Sequence, residues 1–176
     1  AGNPGLRPQF TQSYELGYGS EGGGLGYGVT GYYRLNRDSV TDLTEYFGNG
    51  LSLTTKTNLP KNDAAGFEFS SNGRIVPKLT YSLSGNLLYS QIDARSLGES
   101  GLQSTTGLNA KLKLDYRPTA AGSAQITVTR TDKRLTPQGY VNAINIVNLG
   151  LKHQLRPELT AVATVSDVFN GQRLQR

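Results

Sequence analysis

The clearest pattern in the sequence is an alternation of apolar and polar residues within the stretch from Pro77 to Ala94. Leucine, tyrosine and one glycine (Gly85) occupy one parity of Leu79–Ser90, and serine, threonine and asparagine occupy the other, where Leu88 is the single apolar residue. A period of two predicts a β-strand with one apolar and one polar face. Soluble strands average about five or six residues, whereas a tilted strand that crosses a bilayer needs roughly 9–11. This longer alternation therefore predicts a strand of a transmembrane β-barrel, with lipid on one face and water on the other.

The same alternation recurs along the chain and predicts an all-β fold, an antiparallel transmembrane β-barrel meander of about eight strands. Residues 1–12 are punctuated by proline and glycine and are expected to form an extended lead-in to the strands of 13–170. Residues 1–176 are expected to form a single β-barrel domain or barrel segment. The other predicted strands are Ser13–Ser20, Leu25–Arg37, Leu51–Asn72, Thr105–Arg117, Ser123–Thr131, Asn142–Leu155 and Leu159–Asn170.

The stretch Leu51–Asn72 is open to two interpretations, one long strand or a hairpin that turns at 58–63. A single strand places the short turns at one end of the barrel, at 21–24, 73–78, 118–122 and 156–158. It places the long loops at the other end, at 38–50, 93–104 and 133–141. Short periplasmic turns opposite long outer loops are typical of bacterial outer-membrane barrels. We therefore favour the single strand.

Composition agrees with a barrel wall and excludes several other classes of protein. Hydrophobic residues make up 36% of the chain and the mean hydropathy is −0.42, as expected when half of each strand faces water. No apolar run approaches the ~18 residues of a membrane helix, and the absence of cysteine excludes disulfides and thiolate metal sites. The net charge is +5, but the cations are scattered and no recognition helix is visible, so nucleic acid is not an expected partner.

Candidate catalytic and cofactor chemistry is sparse. His153 is the only histidine and fits an interfacial position, so neither a metal site nor a nucleophile–base pair is expected. Gly24, Gly26 and Gly28 form a GxGxG pattern, but no helix follows to bind a phosphate. The sequence therefore predicts no enzyme activity, no cofactor and no metal.

The candidate functional residues lie on the polar face of the strands and in the long loops. Charged residues on the polar face are expected to line the lumen: Glu15, Glu68, Lys111, Lys113 and Asp115. Loop residues are candidates for aromatic contact or for binding an anionic ligand such as a ferric chelate or an acidic sugar: Tyr46, Phe47, Arg95, Lys133 and Arg134. Tyrosines near strand ends are expected to form aromatic girdles at the headgroups: Tyr14, Tyr27, Tyr33, Tyr81, Tyr89 and Tyr116.

Several segments resemble the C-terminal half of TonB-dependent outer-membrane receptors. Residues 3–9 (NPGLRPQ) followed by 13–17 (SYELG) are similar to the family's NP-x-L-x-PE…YELG passage, with Gln9 where the family usually has glutamate. The other similar segments are Tyr32-Tyr33-Arg34 with Arg37-Asp38, Asn58 followed by Gly66-Phe67-Glu68, and Ser166-Asp167-Val168-Phe169-Asn170, which resembles the DLFN turn before the family's last strand. The resemblance covers essentially the whole chain and supports one strand over 51–72.

The resemblance implies a transport function. The resemblance also implies a larger architecture, a barrel of about 22 strands closed around a plug. This sequence shows no counterpart of the plug, the energy-coupling box or the last strand, so a barrel fragment is expected. The fragment would supply part of the barrel wall and the outer loops of a protein that imports a nutrient or siderophore. A plug, absent from this sequence, would couple that importer to a TonB-type protein.

The alternative is a small self-contained eight-stranded outer-membrane barrel with a structural or binding role and no transport. An outer-membrane enzyme is the least favoured hypothesis. The expected partners in every case include outer-membrane lipid, and unpaired strand edges would allow self-association.

Overall fold

The computed structural model describes residues 3–93, 95, 101–136 and 139–172. Within these residues no helix has the length and hydropathy needed to span a membrane. The regular elements in this part of the chain are ten β-strands. Their bounds are β1 Phe10–Gly22, β2 Leu25–Phe47, β3 Leu51–Val76, β4 Leu79–Asp93, β5 Leu102–Tyr116, β6 Gly122–Thr131, β7 Arg134–Thr136, β8 Gly139–Val141, β9 Ile144–Arg156 and β10 Leu159–Val165.

Eight of the strands form one antiparallel sheet in the order β1-β2-β3-β4-β5-β6-β9-β10. Strands β7 and β8 form a separate two-stranded hairpin inserted between β6 and β9. The predicted antiparallel meander of eight strands is thus confirmed. The sheet is open, since β1 and β10 form its two edges and are not paired with each other in the part of the chain that the structure describes.

The interpretation of Leu51–Asn72 as one strand is confirmed, because β3 runs without interruption from Leu51 to Val76. The prediction of a loop at 38–50 is wrong. Strand β2 continues to Phe47 and pairs with β3 up to the turn at 48–50. Val40, Thr41 and Thr44 favour a pleated backbone in this segment, and direct cross-strand pairs stabilise it. One such pair joins Asp42 and Lys56, whose carboxylate and ammonium are 2.6 Å apart.

Further boundaries differ from the prediction, and β1 begins at Phe10, within the predicted lead-in of residues 1–12. The predicted loop at 133–141 contains the β7–β8 hairpin. The last strand ends at Val165, before the predicted Asn170, because Asp167 adopts a positive φ of 50° and begins a turn. Its carboxylate accepts hydrogen bonds from the backbone N–H groups of Gly171 and Gln172. In the predicted loop at 93–104, β4 ends at Asp93 and β5 begins at Leu102, and most of the residues between them lie outside the described ranges.

The short turns lie together at one end of the sheet, which corresponds to the periplasmic end in outer-membrane barrels. Gly23 and Gly24 join β1 to β2 with φ values of 60° and 83°, the conformation that a two-residue hairpin turn requires. We call the opposite end the outer mouth. Strand β2 has 23 residues, or roughly 75 Å at about 3.3 Å per residue, and so projects well past a bilayer.

The strand register separates an apolar face from a polar face across the sheet. On β4 and β5, for example, Leu83 pairs with Leu112 on one face, and Ser84 pairs with Lys111 on the other. The large side chains of the apolar face are exposed, as lipid-facing residues must be, and Leu87 keeps 52% of its surface. Tyrosines lie at two levels of this face, with Tyr14 paired to Tyr33 at the upper level.

Candidate ligand-binding site at the outer mouth

A cavity of about 530 Å³ lies at the outer mouth, where β2, β3, β4 and β5 meet the β7–β8 hairpin. Its apolar lining includes three of the four buried hydrophobic side chains among the described residues: Leu59 is 2%, Ile92 4% and Leu135 9% exposed. These three residues come from three different strands. The cavity is therefore formed by the tertiary arrangement of the mouth and not by one segment of the chain.

The β7–β8 hairpin is positioned over the sheet by Asp132. β6 ends just before this residue, which leaves the backbone N–H of Leu108 on β5 without a ladder partner. The carboxylate of Asp132 accepts that hydrogen bond at 3.0 Å, and the N–H of Asp132 donates to Asn109 Oδ1 at 2.9 Å. The backbone N–H of Leu108, followed by that of Lys133, holds the pKa of the Asp132 carboxyl below its usual range. Asp132 is therefore a charged anchor for the hairpin.

Two of the candidate loop cations line this cavity. Lys133 and Arg134 follow the anchor directly and stand beside the apolar lining. The ammonium of Lys133 lies 5.3 Å from the centre of the Tyr140 ring, a cation–π arrangement that positions the charge. The one acidic residue of the lining, Asp42, is paired with Lys56. The cavity thus combines an apolar lining with two cations, an arrangement suited to an anionic ligand with an apolar or aromatic body.

The other three loop candidates lie away from the cavity. Arg95 is held by Asp93 through a bidentate contact of its guanidinium and through its backbone N–H. This contact lowers the pKa of the Asp93 carboxyl to about 2 and raises that of the Arg95 guanidinium. Tyr46 and Phe47 lie at the tip of the β2–β3 ribbon, 83% and 51% exposed. Their role in ligand binding stays a prediction.

The polar face below the cavity carries the residues predicted to line the lumen. Glu68 and Lys111 border a shallow hollow of about 480 Å³, together with Asn86 and Asn109. Neither charge forms an ion pair with another described residue. Both remain available for a group that fills this hollow.

The other three residues predicted to line the lumen have partners in the wall. The carboxylate of Glu15 accepts hydrogen bonds of 3.0 Å from Arg34 Nη2 and from the Ser13 hydroxyl. Lys113 and Asp115 form a pair with 3.1 Å between nitrogen and oxygen. These contacts tie neighbouring positions of the wall together. That this face lines a lumen stays a prediction.

The apolar lining of the cavity was not predicted from the sequence, although one signal for it existed. Leu88 breaks the polar parity of β4, and Ile92 continues on the same face toward the mouth; both line the cavity. Leu59 and Leu135 gave no such signal, because their burial depends on how the mouth is assembled. No group of three or more histidine, aspartate or glutamate side chains that could hold a metal occurs among the described residues.

Comparison with protein families defines the class. The model of the outer membrane protein beta-barrel family matches residues 1–176. The chain belongs to this family, and its place is the outer membrane. A search of curated proteins gave no match.

Solved structures share the fold. The chain resembles the copper transporter OprC with a TM-score of 0.72 and 17% identity, covering 94% of this chain and 27% of that one. It resembles the siderophore receptor PirA from Pseudomonas aeruginosa with a TM-score of 0.68 and 18% identity, covering 99% and 29%. For the ferric-catecholate import receptor Fiu from K12 E. coli the TM-score is 0.66 with 17% identity, covering 93% and 24%. The resemblance to receptor barrels is confirmed in fold, and the chain spans about a quarter of the length of these proteins.

Proposed function

We propose that the chain forms part of the wall and outer mouth of an outer-membrane importer. In this proposal the cavity is the first contact site for a small anionic ligand with an apolar or aromatic body, such as a ferric chelate. The observation that carries the proposal is the placement of Lys133 and Arg134 beside the apolar surface formed by Leu59, Ile92 and Leu135.

The resemblance in fold supports the transport part of the proposal. The named neighbours are a copper transporter, a siderophore receptor and a ferric-catecholate import receptor. Import against a gradient would require a plug and a TonB-type coupling protein, which belong to the proposal. Glu68 and Lys111, which form no ion pair among the described residues, lie on the polar face that a plug would meet.

The open sheet does not favour the alternative of a small closed barrel without transport. In a bilayer every backbone N–H and C=O needs a partner, and unsatisfied groups cost several kcal/mol each. β1 and β10 would each expose such a row, since they are not paired with each other across the described sheet. A wall that continues on both sides satisfies these groups.

The test compares iron uptake through the intact protein in cells. The trianionic ferric tris-catechol complex is one probe and a neutral ferric hydroxamate is the other. The Lys133→Gln/Arg134→Gln variant is expected to raise KM for the catecholate about tenfold with little change in maximal rate, because uniform binding is lost. The matched control is Lys152→Gln/Arg156→Gln, which removes one lysine and one arginine near the short-turn end.

Two outcomes would contradict the proposal in different ways. Deletion of the whole gene without any effect on uptake of either chelate would exclude import of this ligand class. Normal uptake by the Lys133→Gln/Arg134→Gln variant, or equal losses in the control, would exclude the cavity as the contact site.

A further inference from the structure

The apolar outer face of the sheet becomes charged just above its upper row of tyrosines. Tyr33 pairs with Ala65 and Tyr89 continues the row on β4. Two residues further along the strands, about 7 Å, Asp63 pairs with Gln91 on the same face. The next paired position is Arg37 with Lys61. A charged cluster thus lies directly above the lipid-facing band, where lipid headgroups begin.

Asp63 organises this cluster. Its side chain is only 9% exposed. The carboxylate forms ion pairs with two cations: one oxygen lies 2.6 Å from Arg37 Nη1, and the other lies 3.3 Å from Lys61 Nζ. Lys61 also donates to Gln91 Oε1 at 3.1 Å. Arg37 Nη1 donates to the backbone oxygen of its neighbour Asn36 at 2.9 Å. The carboxylate therefore holds the two cations side by side along the outer wall.

The cluster keeps an excess positive charge and free donors. Two cations share one carboxylate, and the neighbouring Asp93 is neutralised by Arg95. The side chains of Arg37 and Lys61 remain 47% and 36% exposed. Guanidinium has five N–H donors, and those on Nε and Nη2 of Arg37 have no acceptor among the described residues.

We infer that Arg37 and Lys61 form a binding site for the phosphate group of a lipid in the outer leaflet. The planar guanidinium suits phosphate oxygens, and lysine adds a point charge. The site is continuous with the apolar face below it, where Tyr33 and Tyr89 can meet the acyl chain of the same molecule. A lipid can therefore be contacted both at its phosphate, by the two cations, and at its acyl chain, by the two tyrosines. A free phosphate ion would be contacted only by the cations.

The experiment uses the intact protein, purified in a neutral detergent, and native mass spectrometry. Dioleoyl phosphatidic acid and dioleoylglycerol are the two probes, since they share their acyl chains and differ in the phosphate. The variant is Arg37→Gln/Lys61→Gln/Asp63→Asn, because removing the cations alone would leave Asp63 buried without a partner. The matched control is Arg7→Gln/Lys56→Gln/Asp42→Asn, which changes the same three residue types at two separate ion pairs, Arg7 with Asp38 and Lys56 with Asp42, beside the part of β2 and β3 that extends past the sheet.

The wild type is expected to bind phosphatidic acid in preference to dioleoylglycerol. The cluster variant is expected to bind phosphatidic acid about tenfold more weakly, since charge-assisted hydrogen bonds are lost. The control should bind as the wild type does, and circular dichroism reports whether each variant is folded. Equal binding of both lipids, equal loss in the control, or displacement by millimolar inorganic phosphate would overturn the inference. Retention of phosphatidic acid by the folded cluster variant would do so as well.

Discussion

Strands β2 and β3 each contain two regions that differ in their surroundings. The lower region, up to Arg37 on β2 and from Lys61 on β3, lies within the sheet, where β1 and β4 pair on either side. The upper region, 38–47 with 51–60, is a two-stranded ribbon beyond both neighbours. Lipid and water impose a two-faced pattern on the lower wall. Beyond its base, where Ser39 and Leu59 are buried at the cavity, the upper ribbon has water on both sides and depends on cross-strand pairs and on tethers to other segments.

The lower wall contains close contacts that leave no room for a side chain at certain glycines. A Cβ atom at Gly66 would lie 2.7 Å from Tyr32 Oη and closer still to the carbonyl oxygen of Leu87. Tyr32 is fixed there, because its hydroxyl donates to Asn86 Oδ1 at 3.0 Å and its ring lies under the Arg34 guanidinium at 4.6 Å. The polar face of the wall is therefore tightly packed at this point.

The largest effect is expected for Gly66→Ala. It should destabilise the wall by about 2 kcal/mol, because neither the backbone oxygen nor the anchored tyrosine can move freely. Gly150→Ala is the matched control, since its new Cβ would meet nothing nearer than Gln125 Cβ at 3.9 Å. The measurement is urea-induced unfolding of the intact protein in detergent. Equal midpoints for both variants would show that the lower wall is not rigid at Gly66.

The upper ribbon is tethered by Asn58. Its side-chain oxygen accepts the N–H of Arg7 at 2.8 Å, and its amide nitrogen donates to the carbonyls of Arg7 at 3.1 Å and Asp38 at 2.6 Å. Asn3 Nδ2 adds a hydrogen bond to the Lys56 carbonyl at 2.9 Å. An isolated two-stranded ribbon is marginally stable in water, so these tethers matter.

A smaller and local effect is expected for Asn58→Ala. Loss of these hydrogen bonds should lower the local stability of the ribbon by about 1 kcal/mol. Hydrogen exchange in 38–47 and 51–57 should accelerate about fivefold, while exchange in β4 and β5 stays unchanged. Ser52→Ala, at the tip of the same ribbon, is the control. If exchange in β4 rises equally, the two regions unfold as one unit and the comparison fails.

The sequence predicted the lower wall well and the upper ribbon poorly, for one physical reason. Alternation arises where two faces of a strand meet different solvents, as in Leu79–Ser90. Along most of 38–47 both faces meet water, so this part of the strand shows no alternating pattern and its sequence predicts a loop. The unbroken β3 was predicted correctly from the placement of turns and from the family resemblance, which use information beyond the strand itself.

The candidate site was predictable only in part. Lys133 and Arg134 were selected from a basic loop, and they line the cavity. Leu88 carried a signal, an apolar residue on a polar face. The burial of Leu135 depends on Asp132 anchoring the hairpin to β5, a contact between residues 24 positions apart that no local pattern encodes. The outer-face cluster at Asp63 likewise requires the register between β2, β3 and β4.

The smallest effect is expected where the wall passes into the mouth, at Asp93 and Arg95. The guanidinium of Arg95 lowers the pKa of the Asp93 carboxyl to about 2, while in an unfolded chain the pKa is about 3.9. A lowered pKa means that the contact contributes fully above pH 4 and is lost as the pH falls through 2. The carbon chemical shift of the Asp93 carboxyl, followed from pH 6 to pH 1.5, should show a midpoint near 2. In Arg95→Gln the midpoint should return toward 3.9, and Lys133→Gln, which removes a cation from the cavity, should leave it unchanged. A midpoint near 3.9 in the wild type would mean that the Arg95 guanidinium does not contact the Asp93 carboxylate. Arg95 would then not be part of the lower wall.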